Sequence, residues 1–247
     1  MSTSPRSTSS SKRSKNSASS AIAAGLGRLV VLLVLAALVP GFPTAAAPAL
    51  EEAVRELETA YRRVVDLRAT FQQAAFNRTL NQTLEARGTL YLKKPGKLRW
   101  EYQTPVPQEV VSDGTRLWVY TPELKQVNVT DAPQALAGPA GSFLAGLGQV
   151  REHFQARFLN PAQPTDSEGL FVLDLAPKTP QPLVARLILS VDPATWLVRK
   201  AVLYDAQGNT VTVRFLEVAV NSGLADTLFT FVPPPGVAVV PTPGMRP

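Results

Sequence analysis

The amino-acid sequence predicts an α+β protein, mainly antiparallel β, and three observations carry that prediction. A stretch beginning at Leu50 has the 3.6-residue period of an amphipathic helix. Beyond Leu67 the apolar period falls to two, as in half-buried strands. The strands are joined by turn signals with no helical crossover between them, which excludes a parallel sheet and leaves a meander of about ten to eleven strands.

In the helix, Leu50, Ala53, Val54, Leu57, Ala60, Tyr61, Val64 and Val65 form one stripe, with Glu51, Glu52, Arg55, Glu56, Glu58, Arg62 and Arg63 on the wet side. Acids crowd its first half and arginines its last turn, as the helix dipole favours. Leu67, Ala69 and Phe71 then alternate with Arg68, Thr70 and Gln72. Leu90 and Leu92 alternate with Tyr91 and Lys93, and Leu98, Trp100 and Tyr102 with Arg99 and Glu101. Lys94-Pro95-Gly96-Lys97 between the last two runs is a turn. Glu109 to Tyr120 reads as two strands around an Asp113-Gly114 hairpin. Further strands are expected at Lys125 to Val129, Phe154 to Leu159, Leu170 to Leu175, Ala185 to Val191, Val198 to Tyr204, Thr210 to Ala219 and Leu228 to Val232. Gln207-Gly208-Asn209 supplies one more hairpin turn. The only interruption is a segment with Pro133, Gly138, Pro139 and Gly141, followed by Ser142 as an N-cap for a short apolar helix through Phe143, Leu144, Ala145 and Leu147. That helix has too little polar surface to lie exposed, so it should cover the sheet or a cavity within it.

The chain divides into a leader, 1–46, and one domain, 47–247, with 240–247 expected as a disordered tail. Met1 to Ser20 is Ser-rich and basic without acids or apolar pattern, a composition that cannot bury a core. An unbroken apolar run from Leu29 to Val39 follows Arg28, then Pro40, Gly41 and the small residues Ala45, Ala46 and Ala47. These are the three parts of a secretory signal. As a helix the run spans about 16 Å, short of the roughly 30 Å of a bilayer core. Cleavage near Ala46 or Ala47 is favoured; the alternative is an uncleaved anchor in which Ala21 to Gly27 extends the run.

The whole chain has 25 basic and 19 acidic residues, a net charge of +6 and a pI near 9.8. Five of the basic residues lie in the leader, so the domain keeps 20 against 19, a net charge of +1. A nucleic-acid partner, which needs clustered cations, is thereby excluded as the reading of the basic pI. With no cysteine, the chain has no disulfide, thiolate metal site or thiol nucleophile. With one histidine, His153, it has no His-rich metal site.

Chemistry-bearing motifs are missing. There is no G-x-S-x-G elbow, phosphate loop, dinucleotide fingerprint, H-E-x-x-H or EF-hand loop. A hydrolase would have to use His153, which reads instead as a partly exposed residue beside Glu152. Glu52 and Glu56 read as a solvated helix face, since nothing apolar surrounds them to shift a pKa. Asn-x-Thr tripeptides at Asn77, Asn81 and Asn128 are chance spacing unless the host glycosylates its secreted proteins. Strand parity draws attention elsewhere. Leu90 and Leu92 share a face, as do Leu98, Trp100 and Tyr102, and as do Leu117 and Val119 opposite to Trp118 and Tyr120. Such faces fill a core or line an open curved sheet.

The block Gly88-Thr89-Leu90-Tyr91-Leu92-Lys93-Lys94-Pro95-Gly96-Lys97-Leu98-Arg99-Trp100-Glu101-Tyr102, followed by Thr104-Pro105, Val111-Ser112-Asp113-Gly114, Leu117-Trp118-Val119-Tyr120 and Gln126, resembles the periplasmic outer-membrane lipoprotein carrier family, LolA. Phe71-Gln72-Gln73, Leu175-Ala176-Pro177-Lys178, the Asp205 to Asn209 turn, Phe229-Thr230-Phe231 and Pro234-Pro235-Gly236-Val237 agree, in order along the domain. The resemblance implies an unclosed half-barrel with a helical lid over an apolar cavity that holds acyl chains. Its lining would be Phe71, Leu90, Leu92, Leu98, Trp100, Tyr102, Leu117 and Val119, with Phe143, Leu144 and Leu147 on the lid.

The resemblance further implies a monomeric, non-enzymatic carrier in the periplasm that needs no metal or cofactor. Its partners would be acylated lipoproteins, an inner-membrane ABC-type lipoprotein-releasing transporter and an outer-membrane receptor. The alternative is a membrane-anchored receptor or lipid sensor with a related half-barrel; the receptor would normally carry a lipidated cysteine, and the sensor an uncleaved leader. Two positions depart from the family pattern. Lys94 stands where an arginine usually contacts the lid, and a flexible ammonium in place of a planar fork implies a lid held less tightly. Leu98 replaces an aromatic residue.

Overall fold

The computed structural model describes residues 48–133, 149–180 and 184–241. The leader, and the lid residues Phe143, Leu144 and Leu147, lie outside them. Among the described residues no helix is long and apolar enough to cross a membrane.

Helix α1 (Leu50–Arg63) is followed by strands β1 (Asp66–Asn77), β2 (Gln82–Lys93), β3 (Lys97–Thr104), β4 (Gln108–Asp113), β5 (Arg116–Thr121) and β6 (Gln126–Asp131). A short helix α2 (Val150–His153) leads into β7 (Phe154–Phe158), β8 (Phe171–Pro177), β9 (Arg186–Val191), β10 (Val198–Tyr204) and β11 (Thr210–Val220), and β12 (Ala238–Pro241) ends the described chain. All twelve strands of the described residues belong to one unclosed sheet in the order β12-β6-β5-β4-β3-β2-β1-β11-β10-β9-β8-β7. Two meanders, β1 to β6 and β7 to β11, are joined where the long β11 returns antiparallel to β1, Phe71 lying opposite Phe215.

Helix α1 ends two residues before its apolar stripe does, because Val64 turns to extended backbone at φ −73°, ψ 118°. Strands β1 and β2 run further than the alternation indicated, pairing from Asp66↔Lys93 out to Asn77↔Gln82. Their outer half extends past the core, and Leu80 and Leu84 near its tip are exposed.

Two expectations at the C-terminal end are corrected. Residues 228–232 are not a strand: a 3-10 turn occupies Asp226–Phe229, and the chain then crosses one face of the sheet, where side chains rather than ladder bonds hold it. Phe229 is buried and the Phe231 ring lies 5.6 Å from that of Tyr120. Pro233, Pro234 and Pro235 cannot donate to a ladder. Of the expected tail at 240–247, Val240 and Pro241 belong instead to β12, whose Val239 pairs in parallel with Val127 of β6, and 242–247 lie outside the described residues. The four exposed residues Ala238 to Pro241 carry no alternation that would mark an edge strand.

Candidate functional site

Directly opposed residues of paired strands project to the same side of a sheet, so the register defines its two faces. On one face Leu67, Ala69 and Phe71 of β1 lie opposite Leu92, Leu90 and Gly88 of β2. Leu92 and Leu90 lie opposite Leu98 and Trp100 of β3, and Gly88 opposite Tyr102. Trp100 faces Val110 of β4, which faces Val119 of β5, while Ser112 faces Leu117. All eight lining residues expected on β1, β2, β3 and β5 are therefore brought to one face. Phe71, Leu90, Leu98, Trp100 and Leu117 are buried, and Leu92, Tyr102 and Val119 partly so.

The same face continues across the second meander, which strand parity had not singled out. Phe215, Val213 and Ala201 lead to Leu189, Leu173 and Phe158 through successive pairings. Phe171 stacks on Trp196 with ring centroids 5.4 Å apart. Alternation at Leu173/Leu175 and Leu187/Leu189 is the signal that could have found this half. Ala53, Val54 and Leu57 of α1 join these residues in one continuous apolar cluster, so α1 lies on this face.

An aromatic triad marks the middle of the first meander. The Phe71 ring meets Trp100 edge-on at 5.0 Å and Tyr102 at 5.3 Å, and Trp100 and Tyr102 stack at 6.1 Å. Gly88 makes room for it: a β-carbon there would stand 1.8 Å from the Glu101 carbonyl oxygen and 2.8 Å from Phe71. The Tyr102 hydroxyl donates to Gln73 at 3.2 Å, but the buried Trp100 Nε1–H has no acceptor. Burial pushes the Tyr102 phenol up, against the opposing effect of its bond to Gln73.

Charged groups hold α1 at both of its neighbours. Lys94 Nζ donates to the Tyr61 carbonyl, 2.5 Å away in the last turn of the helix, where the dipole favours a cation. Lys94 therefore caps α1; its expected lid contact concerns residues outside the described ones. Burial lowers the Lys94 pKa. Sequence reading missed the second contact. Glu58 is only 3% exposed and accepts from the backbone N–H of Arg151 at 2.9 Å, from Nε at 2.8 Å and from Nη2 at 2.6 Å. Burial opposes ionisation of Glu58, yet the bonds and charge of Arg151 outweigh it and hold the carboxyl below its ordinary range. The Tyr61 hydroxyl accepts from Val198 N–H at 3.2 Å, and burial pushes its pKa to about 12.

The other face of β3 to β6 is covered by the C-terminal segment. Trp118 and Tyr120 turn to it, as their parity required, and meet Phe231 at 6.2 and 5.6 Å. Asp226 pairs with Lys93 at 2.7 Å and Lys97 at 3.0 Å. Upstream, the Asp66 carboxylate accepts from the backbone N–H groups of Ser222, Gly223 and Leu224 at 2.8 to 3.2 Å. These contacts leave the aromatic and aliphatic side chains on the α1 side as the candidate binding surface. His153 is exposed at the end of α2, and no group of metal-ligating side chains gathers among the described residues.

Comparison with known proteins agrees with this geometry. The sequence model of the family described as "Outer membrane lipoprotein carrier protein LolA" matches residues 62–232. An outer-membrane lipoprotein carrier protein of Dechloromonas aromatica is 32% identical over 188 residues, 76% of this chain and 87% of that protein. One of Pseudomonas aeruginosa is 32% identical over 216 residues, 86% of this chain and 99% of its own. Among solved structures, an uncharacterised conserved protein from Thermus thermophilus superposes with a TM-score of 0.51 at 16% identity, covering 78% of this chain and 98% of that one, which is a likeness of fold. With a match over most of the domain and relatives at this level of identity, the chain belongs to the LolA family of outer-membrane lipoprotein carrier proteins.

Proposed function

We propose that this protein is exported to the periplasm, where it shields the acyl chains of lipoproteins released from the inner membrane and hands them to an outer-membrane receptor. The observation that carries the reading is the continuous apolar face of an unclosed sheet, with α1 laid over it, in a chain of the lipoprotein carrier family. The leader at 1–46 would be the export signal. An ABC-type releasing transporter would be the donor. Phe71, Leu90, Leu92, Leu98, Trp100, Tyr102, Leu117 and Val119 would contact the acyl chains, with Phe143, Leu144 and Leu147 closing over them.

Each methylene is worth about 0.8 kcal/mol on leaving water, so a lipoprotein with several acyl chains does not cross an aqueous compartment unshielded. A face as apolar as a bilayer makes the exchange nearly neutral. Direction then comes from the energised donor and the tighter receptor, and the carrier needs no catalytic group. Because Phe71, Leu90 and Trp100 are buried in this form, a chain enters only when the cover moves. The Lys94–Tyr61 and Glu58–Arg151 contacts are among the polar fastenings of α1 that such a movement strains.

The test is transfer of a fluorescent triacylated lipopeptide from donor to acceptor vesicles separated by a dialysis membrane. Catalytic amounts of protein should accelerate it. A rate equal to that without protein, together with no binding of the lipopeptide, would contradict the reading.

A further inference from the structure

Trp100 is 7% exposed, and its Nε1–H is the one buried side-chain polar atom among the described residues with no hydrogen-bond partner. Indole nitrogen donates and does not accept, so water or an acceptor must come to it. Its neighbours on the sheet provide none. The residues directly opposite are Leu90 and Val110, and those two positions along the strand are Leu98 and Tyr102, whose hydroxyl donates to Gln73 and makes no bond to the indole. Stacking on Tyr102 and the edge contact with Phe71 fix the indole plane, so the direction of the N–H is fixed as well. A phenyl ring would fill such a place without stranding a donor.

A hydrocarbon chain offers this N–H nothing along its length. Its single acceptor is the oxygen at its head, in an ester or amide linkage. We propose that the Trp100 indole N–H donates a hydrogen bond to the ester or amide carbonyl oxygen at the head of a bound acyl chain. This rests on the carrier reading and deepens it. The apolar face supplies affinity without regard to register, and one donor at a fixed point sets how deep the chain lies and selects carbonyl-linked chains over ether-linked ones. A free fatty acid presents a carboxylate oxygen of similar chemistry, and the experiment separates the two.

Protein produced from the full-length coding sequence is labelled with 15N at its three tryptophans, Trp100, Trp118 and Trp196. It is titrated with a dipalmitoyl-glyceryl cysteine peptide, with the dihexadecyl ether analogue of that peptide, and with palmitate. The ester should move the Trp100 indole resonance downfield and bind roughly three- to tenfold more tightly than the ether, the worth of one neutral hydrogen bond. Replacing Trp100 by 3-benzothienylalanine, which keeps the ring shape and removes the N–H, should abolish that preference, so that any remaining change in affinity falls equally on ester and ether. Trp100→Phe should do the same with some loss of packing for both ligands.

Equal affinities for ester and ether in the unaltered protein, or a preference that survives the benzothienyl replacement, overturns the proposal while the carrier reading stands. A Trp100 resonance moved by palmitate and not by the ester overturns the ester assignment. Failure of every acylated ligand to bind overturns the carrier reading itself.

Discussion

Phe71 of β1 lies directly across from Gly88 of β2, and its Cε1 stands 2.8 Å from the point a β-carbon at Gly88 would occupy. The missing side chain gives the Phe71 ring its place against Trp100 and Tyr102. The Glu101 carbonyl is nearer still, at 1.8 Å, so backbone as well as ring would have to shift.

Gly88→Ala should therefore destabilise the protein by about 1–3 kcal/mol, the range for overpacked cores, and displace the aromatic triad. Urea denaturation gives the stability, and near-ultraviolet circular dichroism reports the triad. A variant with an unchanged midpoint and spectrum would show that the close approach of β3 to Gly88 is not a constraint.

Lys94→Met removes the cation from the last turn of α1 and should cost about 0.3–1 kcal/mol. Amide hydrogen exchange should quicken in the C-terminal turn of α1 and stay unchanged in its first turn. Lys94→Arg should restore protection and slow lipopeptide uptake, because a guanidinium holds carbonyls with more donors in a fixed plane. Uptake and exchange equal to those of the unaltered protein in both variants would dissociate Lys94 from control of the cover.

The Glu58–Arg151 contact makes stability depend on acid. A carboxyl whose pKa is lowered on folding stabilises above its unfolded value, about 4.3, and loses that contribution as the pH falls through the folded value. Glu58→Gln should therefore lower Tm at pH 7, with the deficit shrinking below about pH 4 as the unaltered protein protonates. A deficit constant from pH 7 to pH 3 would mean that the ionised form contributes nothing. Other carboxylates, including Asp174, held low first by its bonds to Arg186, and Asp226, held low first by Lys93, titrate in both proteins and cancel in the difference.

The first meander was legible because its residues alternate. Leu90, Leu92, Leu98, Trp100 and Tyr102 have a period of two, and the Asp113-Gly114 turn pins the next pair of strands, so parity alone assigned Trp118 to the opposite face. The remainder depended on distance along the chain. Glu58 meets Arg151 across 93 positions and Asp66 meets Ser222 across 156, and neither spacing carries a local pattern. The segment around Phe229 has strand-like composition, yet it is held on the sheet by long-range contacts, Phe229 buried and Phe231 against Trp118 and Tyr120, with Asp226 reaching Lys93 and Lys97. Trp100 was recognisable as a residue of the apolar face. That its N–H is left without an acceptor follows only from the neighbours that pairing gives it.

The most direct test of the central claim is native mass spectrometry of the protein purified under mild conditions from the envelope of its host. The account predicts a fraction carrying an acylated polypeptide that is released by detergent and delivered to acceptor membranes. Protein that is consistently free of acylated ligand and transfers none would contradict it.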